Sequence, residues 1–141
     1  MILKSSLGSA YTVTSTASPP DAAITGLQIN ILEDGFYHII GNINVRPVDS
    51  SAATARIFIK LAIDGTAVLA SGGRVSSPDA TGAINVLTVP INNFLYLKKD
   101  QVITVLASMD AGDNSTVEAT GTTYSTYIEA INLTKLARGG M

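Results

Sequence analysis

The sequence predicts an all-β protein built as an antiparallel sandwich or barrel, and three observations support this fold class. From Ile24 onward, apolar residues recur at every second position, which is the period of a strand and not of a helix. Turn-forming residues such as Asp64-Gly65 separate the alternating segments at short intervals, as in sandwiches and barrels. No stretch has a clear helical period, and no repeat of fixed length is present.

The longest alternation predicts a strand that begins near Gly35 and ends at Arg46-Pro47, because proline cannot donate to a ladder. One face of this strand is apolar or small and carries Tyr37, Ile39, Gly41, Ile43 and Val45. The other face carries Phe36, His38, Ile40, Asn42, Asn44 and Arg46. We expect the first face to lie in the core and the second to be half hydrated.

A second clear alternation places Ile57, Ile59, Leu61 and Ile63 on one face and leads into Asp64-Gly65, the strongest hairpin signal of the chain. Together with the other alternating segments, it predicts about eight to ten strands. The remaining predicted strands are Leu27 to Ile31, Thr66 to Ala70, Ala83 to Val89, Asn93 to Leu97, Gln101 to Met109, Thr116 to Thr120 and Thr123 to Leu133.

The chain has 141 residues, which suits one domain, and we assign residues 24–135 to it. Residues 1–23 are low in charge and end in a proline pair that disfavours helix. We predict that they form an extended arm that folds onto a partner, with a disordered tail as the alternative. Residues 136–141 are assigned to a C-terminal tail. The apolar residues of the arm are the candidate contacts, namely Ile2, Leu3, Leu7, Tyr11 and Val13.

Charge and composition argue against several classes of partner. The net charge is −2 and the 9 Lys and Arg residues are scattered, so the basic stripe of a nucleic-acid binder is missing. No apolar run approaches the roughly 18 residues of a membrane helix, and the N-terminus lacks the apolar region of a signal peptide. We therefore expect neither nucleic acid nor membrane as a partner. Because charged residues make up only 14% of the chain, we expect other proteins to cover part of its surface.

The sequence offers no set of residues that would form an active site. It has no cysteine, and its single histidine, His38, has no serine or acid at a motif spacing beside it. Phosphate-binding loops, dinucleotide fingerprints and nucleophile elbows do not occur. Asp110 and Asp113 are candidate calcium ligands, but an ordinary turn is the alternative, because the number of oxygen ligands falls short. We predict that the protein is not an enzyme and has no cofactor.

Three short motifs follow one another in the order and spacing of a known family. Gly35-Phe36-Tyr37 fits a Gly-X-Tyr that opens a long strand. Leu97-Lys98-Lys99-Asp100-Gln101-Val102 is similar to a leucine followed by Gly-Asp-X-Val before a late strand, with Lys99 where Gly is usual, so the turn type stays open. Ser125-Thr126-Tyr127 to Leu133 is similar to a closing strand. Together they resemble the tumour-necrosis-factor-like (TNF-like) jelly roll, the fold of the globular heads of complement's first component, over about residues 24–135.

The resemblance implies a jelly roll that packs as a threefold homotrimer, with a dimer as the alternative. A closed assembly would also cover apolar residues on the outer faces of the long strands, because large exposed apolar patches usually mark interfaces. We hypothesise that Phe36, Ile40 and Phe58 meet a neighbouring subunit. The full set of candidate interface residues is Phe36, His38, Ile40, Phe58 and Tyr124.

Three functions are open at this point. The one we favour is a bacteriophage capsid decoration or cement protein that is assembled in the bacterial cytoplasm. It would lie on the outer surface of the virion and bind the assembled shell of the major capsid protein through the arm. The second is the receptor-binding knob of a tail fibre or tail needle, although residues 1–23 contain no heptad for a stalk. The third is an enzyme or small-ligand binder, which the absence of a histidine cluster disfavours.

Overall fold

The computed structural model describes residues 2–13, 22–47, 54–76, 86–109, 115–121 and 125–137. The described residues form ten strands and one short helix, which confirms the all-β prediction. In chain order the elements are β1 (Ile2–Ser6), β2 (Tyr11–Val13), β3 (Ala22–Asn30), β4 (Gly35–Pro47), β5 (Thr54–Ile63), β6 (Thr66–Ser76), β7 (Leu87–Leu97), β8 (Val102–Met109), β9 (Ser115–Val117), β10 (Tyr127–Asn132) and α1 (Leu133–Ala137).

The strands form two antiparallel sheets, which we call sheet A (β1, β2, β4, β7, β9 and β10) and sheet B (β3, β8, β5 and β6). In sheet A, β4 is the central strand: β7 pairs with it from Gly35 to Val45, while β10 and β9 pair with successive parts of it on its other side. In both sheets, β5 and β6 are the only described neighbours that are also consecutive in the chain. The chain therefore crosses between the sheets repeatedly, as in a jelly roll.

One apolar core lies between the sheets, and the period of two decides which side chains enter it. The predicted inner face of β4 is confirmed, since Tyr37, Ile39 and Ile43 are buried. Ile57, Ile59 and further inner residues of β5 face them from sheet B. Fully burying a side chain of this size contributes roughly 1.5–3 kcal/mol relative to leaving it in water. The core therefore holds the two sheets together without disulfides.

The hairpin between β5 and β6 forms where the sequence predicts it. Asp64 and Gly65 both have left-handed backbones, with φ of 50° and 83°, which is the geometry of the type I′ turn. The Asp64 carboxylate also accepts the Val102 N–H at 2.9 Å, which ties the turn to β8.

The N-terminal segment corrects the prediction of a separate arm. β1 pairs with β10 along its whole length, and β2 pairs with β9, so residues 2–13 complete sheet A. Leu7 and Val13 are 1% and 3% exposed, and Leu3 and Tyr11 pack against the same core. Because residues 2–13 complete the sandwich, these side chains pack in or against the protein's own core. Residues 14–21 of the predicted arm lie outside the described part of the chain.

Two predicted strand boundaries also differ from the structure. The expected interruption between Val89 and Asn93 is absent, because β7 runs through Pro90 without a break. Among the described strands β7 pairs only with β4, and an edge strand tolerates a residue that lacks an N–H. At the other end of the domain, β10 stops at Asn132 and α1 begins at Leu133. The predicted tail from residue 136 therefore begins within a helix.

Candidate functional site

The outer face of sheet A carries rows of side chains that the strand registers place side by side. Directly opposed residues of an antiparallel pair have Cβ atoms about 4.5–5.5 Å apart, so each row is a continuous strip of surface. The middle row crosses β1, β10, β4 and β7 and consists of Ile2, Ile131, His38 and Phe94. The rows on either side of it are Lys4, Glu129, Ile40 and Asn92, and the pair Phe36 and Tyr96.

Four of these residues form a cluster of rings, which we call the aromatic face: Phe36, His38, Phe94 and Tyr96. Phe36 meets Tyr96 edge to face with ring centroids 5.2 Å apart. His38 stacks on Phe94 at 4.2 Å with an angle of 8° between the ring planes. Although the rings contact one another, Phe36, Phe94 and Tyr96 remain 57%, 60% and 52% exposed. The aromatic face is thus an ordered apolar surface that faces outward.

Polar groups border the aromatic face on two sides. Asn92 lies beside it on β7, and its Oδ1 is 2.7 Å from His38 Nε2. On the β1 side, Lys4 Nζ lies 3.4 Å from Glu129 Oε1 and 4.8 Å from the centroid of the Tyr127 ring. An apolar centre with a polar rim of both charge signs is the usual composition of a protein–protein contact.

A hydrogen-bond network on the core side of sheet A fixes the start of β4. The Tyr37 hydroxyl donates to the Glu33 carbonyl at 2.8 Å and accepts from Asn132 Nδ2 at 3.2 Å. Asn132 Oδ1 in turn accepts the Lys135 N–H at 2.9 Å, at the beginning of α1. Burial raises the pKa of the Tyr37 hydroxyl above its ordinary value, and the hydrogen bond from Asn132 opposes that shift. Tyr37 therefore stays a neutral donor at physiological pH and holds β4 against the end of β10.

The same anchor positions Phe36. The Phe36 N–H donates to Thr134 Oγ1 at 2.8 Å, which fixes the backbone of the first aromatic residue against α1. Beside the ring is an open apolar recess of about 390 Å³, lined by Phe36, Leu133, Thr134 and Ala137. The exposed ring thus continues into the surface of α1, so the apolar area extends beyond the two strands.

The structure brings together some of the residues predicted as an interface and separates others. Phe36, His38 and Ile40 share the outer face of sheet A. Phe58 is half-buried on β5 and lies in sheet B, so it cannot belong to one patch with Phe36 and Ile40. Tyr124 lies outside the described residues. Of the five residues assigned to the arm, Ile2 is the most exposed, at 62%, and it extends the middle row of sheet A.

Two residues of the aromatic face, Phe94 and Tyr96, do not appear among the sequence-predicted candidates. The signal was present, because both alternate with the inner residues Leu95 and Leu97. Sequence alone does not reveal that β7 pairs with β4 in the register that puts Phe94 beside His38. The alternating aromatic residues of β7 would have identified Phe94 and Tyr96 if the pairing of β7 with β4 had been known.

No group of three or more His, Cys, Asp or Glu side chains that could hold a metal occurs within the described ranges. The candidate calcium residues Asp110 and Asp113 are outside those ranges, so that prediction stays a prediction. In the part of the chain that the structure describes, no helix has the length and apolar character needed to cross a membrane.

Comparison with known proteins identifies the fold. No protein-family model matches the chain, and no curated protein matches it. Its structure is similar to that of Eiger TNF from S. frugiperda, with a TM-score of 0.52 at 14% identity, covering 93% of this chain and 92% of that one. Rabbit GITRL is a further match, with a TM-score of 0.46 at 13% identity over 79% of this chain and 75% of that one. The first similarity and the strand order establish that this chain has a TNF-like jelly-roll fold.

Proposed function

We propose that the protein is a non-catalytic structural module that assembles as a homotrimer through its aromatic face. The observation that supports this most directly is the exposure of Phe36, Phe94 and Tyr96 on one side of sheet A, each more than half exposed. Grouped apolar rings gain stabilisation when a partner removes them from water. A surface of this kind in an otherwise well-packed domain therefore favours assembly.

Further copies of the same chain are the partner that this surface favours. The rim carries one cation and one anion, Lys4 and Glu129, already in contact with each other, so it offers no net charge to attract a strongly charged partner. A ring of identical subunits closes on itself and covers the same face in every copy. Three copies are the number implied by the resemblance to the TNF-like family.

The variant Phe94→Asp tests this interface, and Val68→Asp is its control. Phe94 is 60% exposed in the aromatic face, whereas Val68 is 43% exposed on β6 of the opposite sheet. Loss of a central aromatic contact typically costs about 2 kcal/mol or more, roughly a thirtyfold weaker association per contact. We expect light scattering after size exclusion to show a monomer for Phe94→Asp and an unchanged trimer for Val68→Asp. Equal behaviour of both variants would contradict the interface assignment.

The variant Phe58→Asp separates the two outer faces. Phe58 lies on β5 in sheet B, away from the aromatic face, so a trimer that survives this change confines the interface to sheet A. A monomer would support the hypothesis that Phe58 also meets a neighbouring subunit. In that case a neighbour would contact both sides of the sandwich.

We further propose that the trimer is a bacteriophage capsid decoration protein, bound to the assembled shell of the major capsid protein on the outer surface of the virion. The low share of charged residues, 14%, and the lack of catalytic motifs support a binding role. A protein that binds the assembled shell but not its free subunits stabilises the shell by mass action. Leu7 and Val13 are buried in the protein's own core, so the shell contact needs other residues.

Two exposed leucines at one end of the sandwich are the best candidates for the shell contact that the sequence assigns to the N-terminal arm. Leu32 and Leu136 are 52% and 58% exposed. Each neighbours in sequence one partner of the Glu33–Lys135 ion pair, whose atoms lie 3.0 Å apart, so the turn before β4 and helix α1 bring both leucines to the same end of the sandwich. We assign the shell contact to this end.

The number of copies in purified particles tests the capsid proposal. A copy number comparable to that of the most abundant shell protein, measured by quantitative mass spectrometry, is the expected result. The double variant Leu32→Asp/Leu136→Asp should then be missing from otherwise normal particles. A handful of copies per particle would instead favour the receptor-binding knob of a tail fibre or needle. Complete absence from particles would overturn both virion proposals.

A further inference from the structure

We propose that His38 makes assembly of this protein pH-dependent, so that the trimer forms when the imidazole is neutral and dissociates when it becomes charged. This inference rests on the proposed trimer, because His38 lies within the aromatic face that the proposal buries. It adds a means of regulation that the interface proposal does not contain. The chain has only one histidine, so substitution of His38 removes every imidazole from each subunit.

The position of His38 places its charge at the centre of the contact. In the middle row of sheet A it stands between Ile131 on β10 and Phe94 on β7. Its ring lies flat on Phe94, with centroids 4.2 Å apart, and Phe94 is 60% exposed. A subunit that covers Phe94 must therefore also cover the edge of the imidazole.

The hydrogen bond of His38 does not distinguish its two charge states. Nε2 is 2.7 Å from Asn92 Oδ1, and an Nε2–H can donate to that oxygen in both the neutral and the charged ring. Protonation therefore occurs at Nδ1, which gains a donor and the positive charge. In the separate subunit, water satisfies this donor. In the proposed trimer a neighbouring subunit displaces that water, and a charged donor left unsatisfied there is costly.

Among the described residues, no carboxylate forms an ion pair with His38. From β10, Glu129 is one register step away, but its carboxylate is 3.4 Å from Lys4 Nζ of β1. From β7, Asn92 and Phe94 carry no charge and Tyr96 is a phenol. On β4 itself the outward neighbours, Phe36 and Ile40, are apolar. A charged His38 therefore relies on water, which assembly removes.

The sign of the effect follows from linkage. If assembly requires the neutral ring, each trimer that forms releases up to three protons, and acid opposes assembly. Unperturbed histidine side chains titrate near about pH 6.5, and a test range from pH 8 to pH 5.5 brackets that value. With one proton excluded per subunit, the trimer formation constant falls by up to about a thousandfold per pH unit once the ring becomes charged. Carboxylates in water titrate lower, near about pH 4, and contribute little in this window.

The test measures the mass of the full chain by sedimentation equilibrium from pH 8 to pH 5.5 at constant ionic strength. Three proteins are compared: wild type, His38→Gln, which stays neutral, and His38→Lys, which is charged throughout. We expect wild type to dissociate as the pH falls, His38→Gln to stay assembled and His38→Lys to stay monomeric. Circular dichroism at each pH shows whether the dissociated chain keeps its strands, as the inference requires.

The outcomes separate this inference from the proposed trimer. Wild type that remains assembled at pH 5.5 overturns the role of His38 and leaves the trimer intact. Dissociation of His38→Gln at the same pH as wild type assigns the effect to another group and also overturns it, as does dissociation accompanied by unfolding. Wild type that is monomeric at pH 8 overturns the trimer proposal, and this inference with it.

Discussion

Asp100 explains how this chain forms the turn before β8 without the glycine that the family pattern would place there. The Gln101 N–H donates to the Lys98 carbonyl at 3.2 Å, which closes a four-residue turn. Within it Asp100 has a φ of 72°, the left-handed value that a type II turn requires at its third residue. Aspartate is among the few residues that tolerate this conformation. The departure at Lys99 is therefore harmless, because the strained position is the next one.

Substitutions at Asp100 should rank by how easily each residue adopts a left-handed backbone. Glycine has no penalty there, whereas alanine has one of about 1–2 kcal/mol, offset in part by the entropy of glycine in the unfolded chain. We expect Asp100→Gly to exceed Asp100→Ala in free energy of unfolding by about 1 kcal/mol in urea titrations. Equal stabilities would contradict the turn assignment.

Gly41 is the residue of β4 whose lack of a side chain the packing requires. A Cβ at this position would overlap the backbone carbonyl of Tyr127 and crowd Ile128. Both belong to β10, which cannot move away without breaking its pairing with β4. The sequence places Gly41 on the inner face, but the reason for glycine is visible only once β10 is in place.

We expect Gly41→Ala to lower the free energy of unfolding by about 1–3 kcal/mol, as overpacking in a core usually does. Gly8→Ala is the matched control, because a Cβ at Gly8 meets nothing within 4 Å, and its effect should stay within about 0.5 kcal/mol. Chemical denaturation of both variants measures the difference. Similar values would show that β10 does not pack against Gly41 as described.

At the scale of elements, the strands predicted best are those whose pattern is local. β4 and β5 alternate over many residues and are followed by clear turn or breaker residues, so their faces follow from sequence alone. β1 and β2 have only 5 and 3 residues, too few for a period to be visible. Their place in sheet A depends on pairing with β10 and β9 near the other end of the chain, and sequence spacing carries no information about such pairing.

Leu7 distinguishes an N-terminal segment that packs in the core from a detached arm. Because Leu7 is 1% exposed, Leu7→Ala should lower the free energy of unfolding by about 2–5 kcal/mol. Ile2→Ala, in a residue that is 62% exposed, should change it by less than about 0.5 kcal/mol. Both are best measured in the Phe94→Asp background, since assembly would otherwise add to apparent stability. A Leu7→Ala variant as stable as its parent would restore the arm.

At the scale of the whole molecule, sequence reasoning recovers the fold but only half of the candidate site. Apolar residues on both faces of β4 predict that something must cover Phe36 and Ile40, and the structure places both on the outside of sheet A. The other half comes from β7, which brings Phe94 and Tyr96 alongside. Alternation tells which side of a strand a residue faces, but not which strand lies next to it. For the same reason, sequence alone does not show that Phe58 and Phe36 lie in different sheets.

The central claim, that the aromatic face joins three subunits, is tested most directly by the mass of the wild-type chain in solution. Sedimentation equilibrium at pH 8 should give about 44 kDa, three times the chain mass of 14.6 kDa. The value should stay constant as the protein is diluted through the micromolar range, as expected for a stable trimer. A mass of one chain at every concentration would contradict the claim and leave the exposed rings of Phe36, Phe94 and Tyr96 for a different partner.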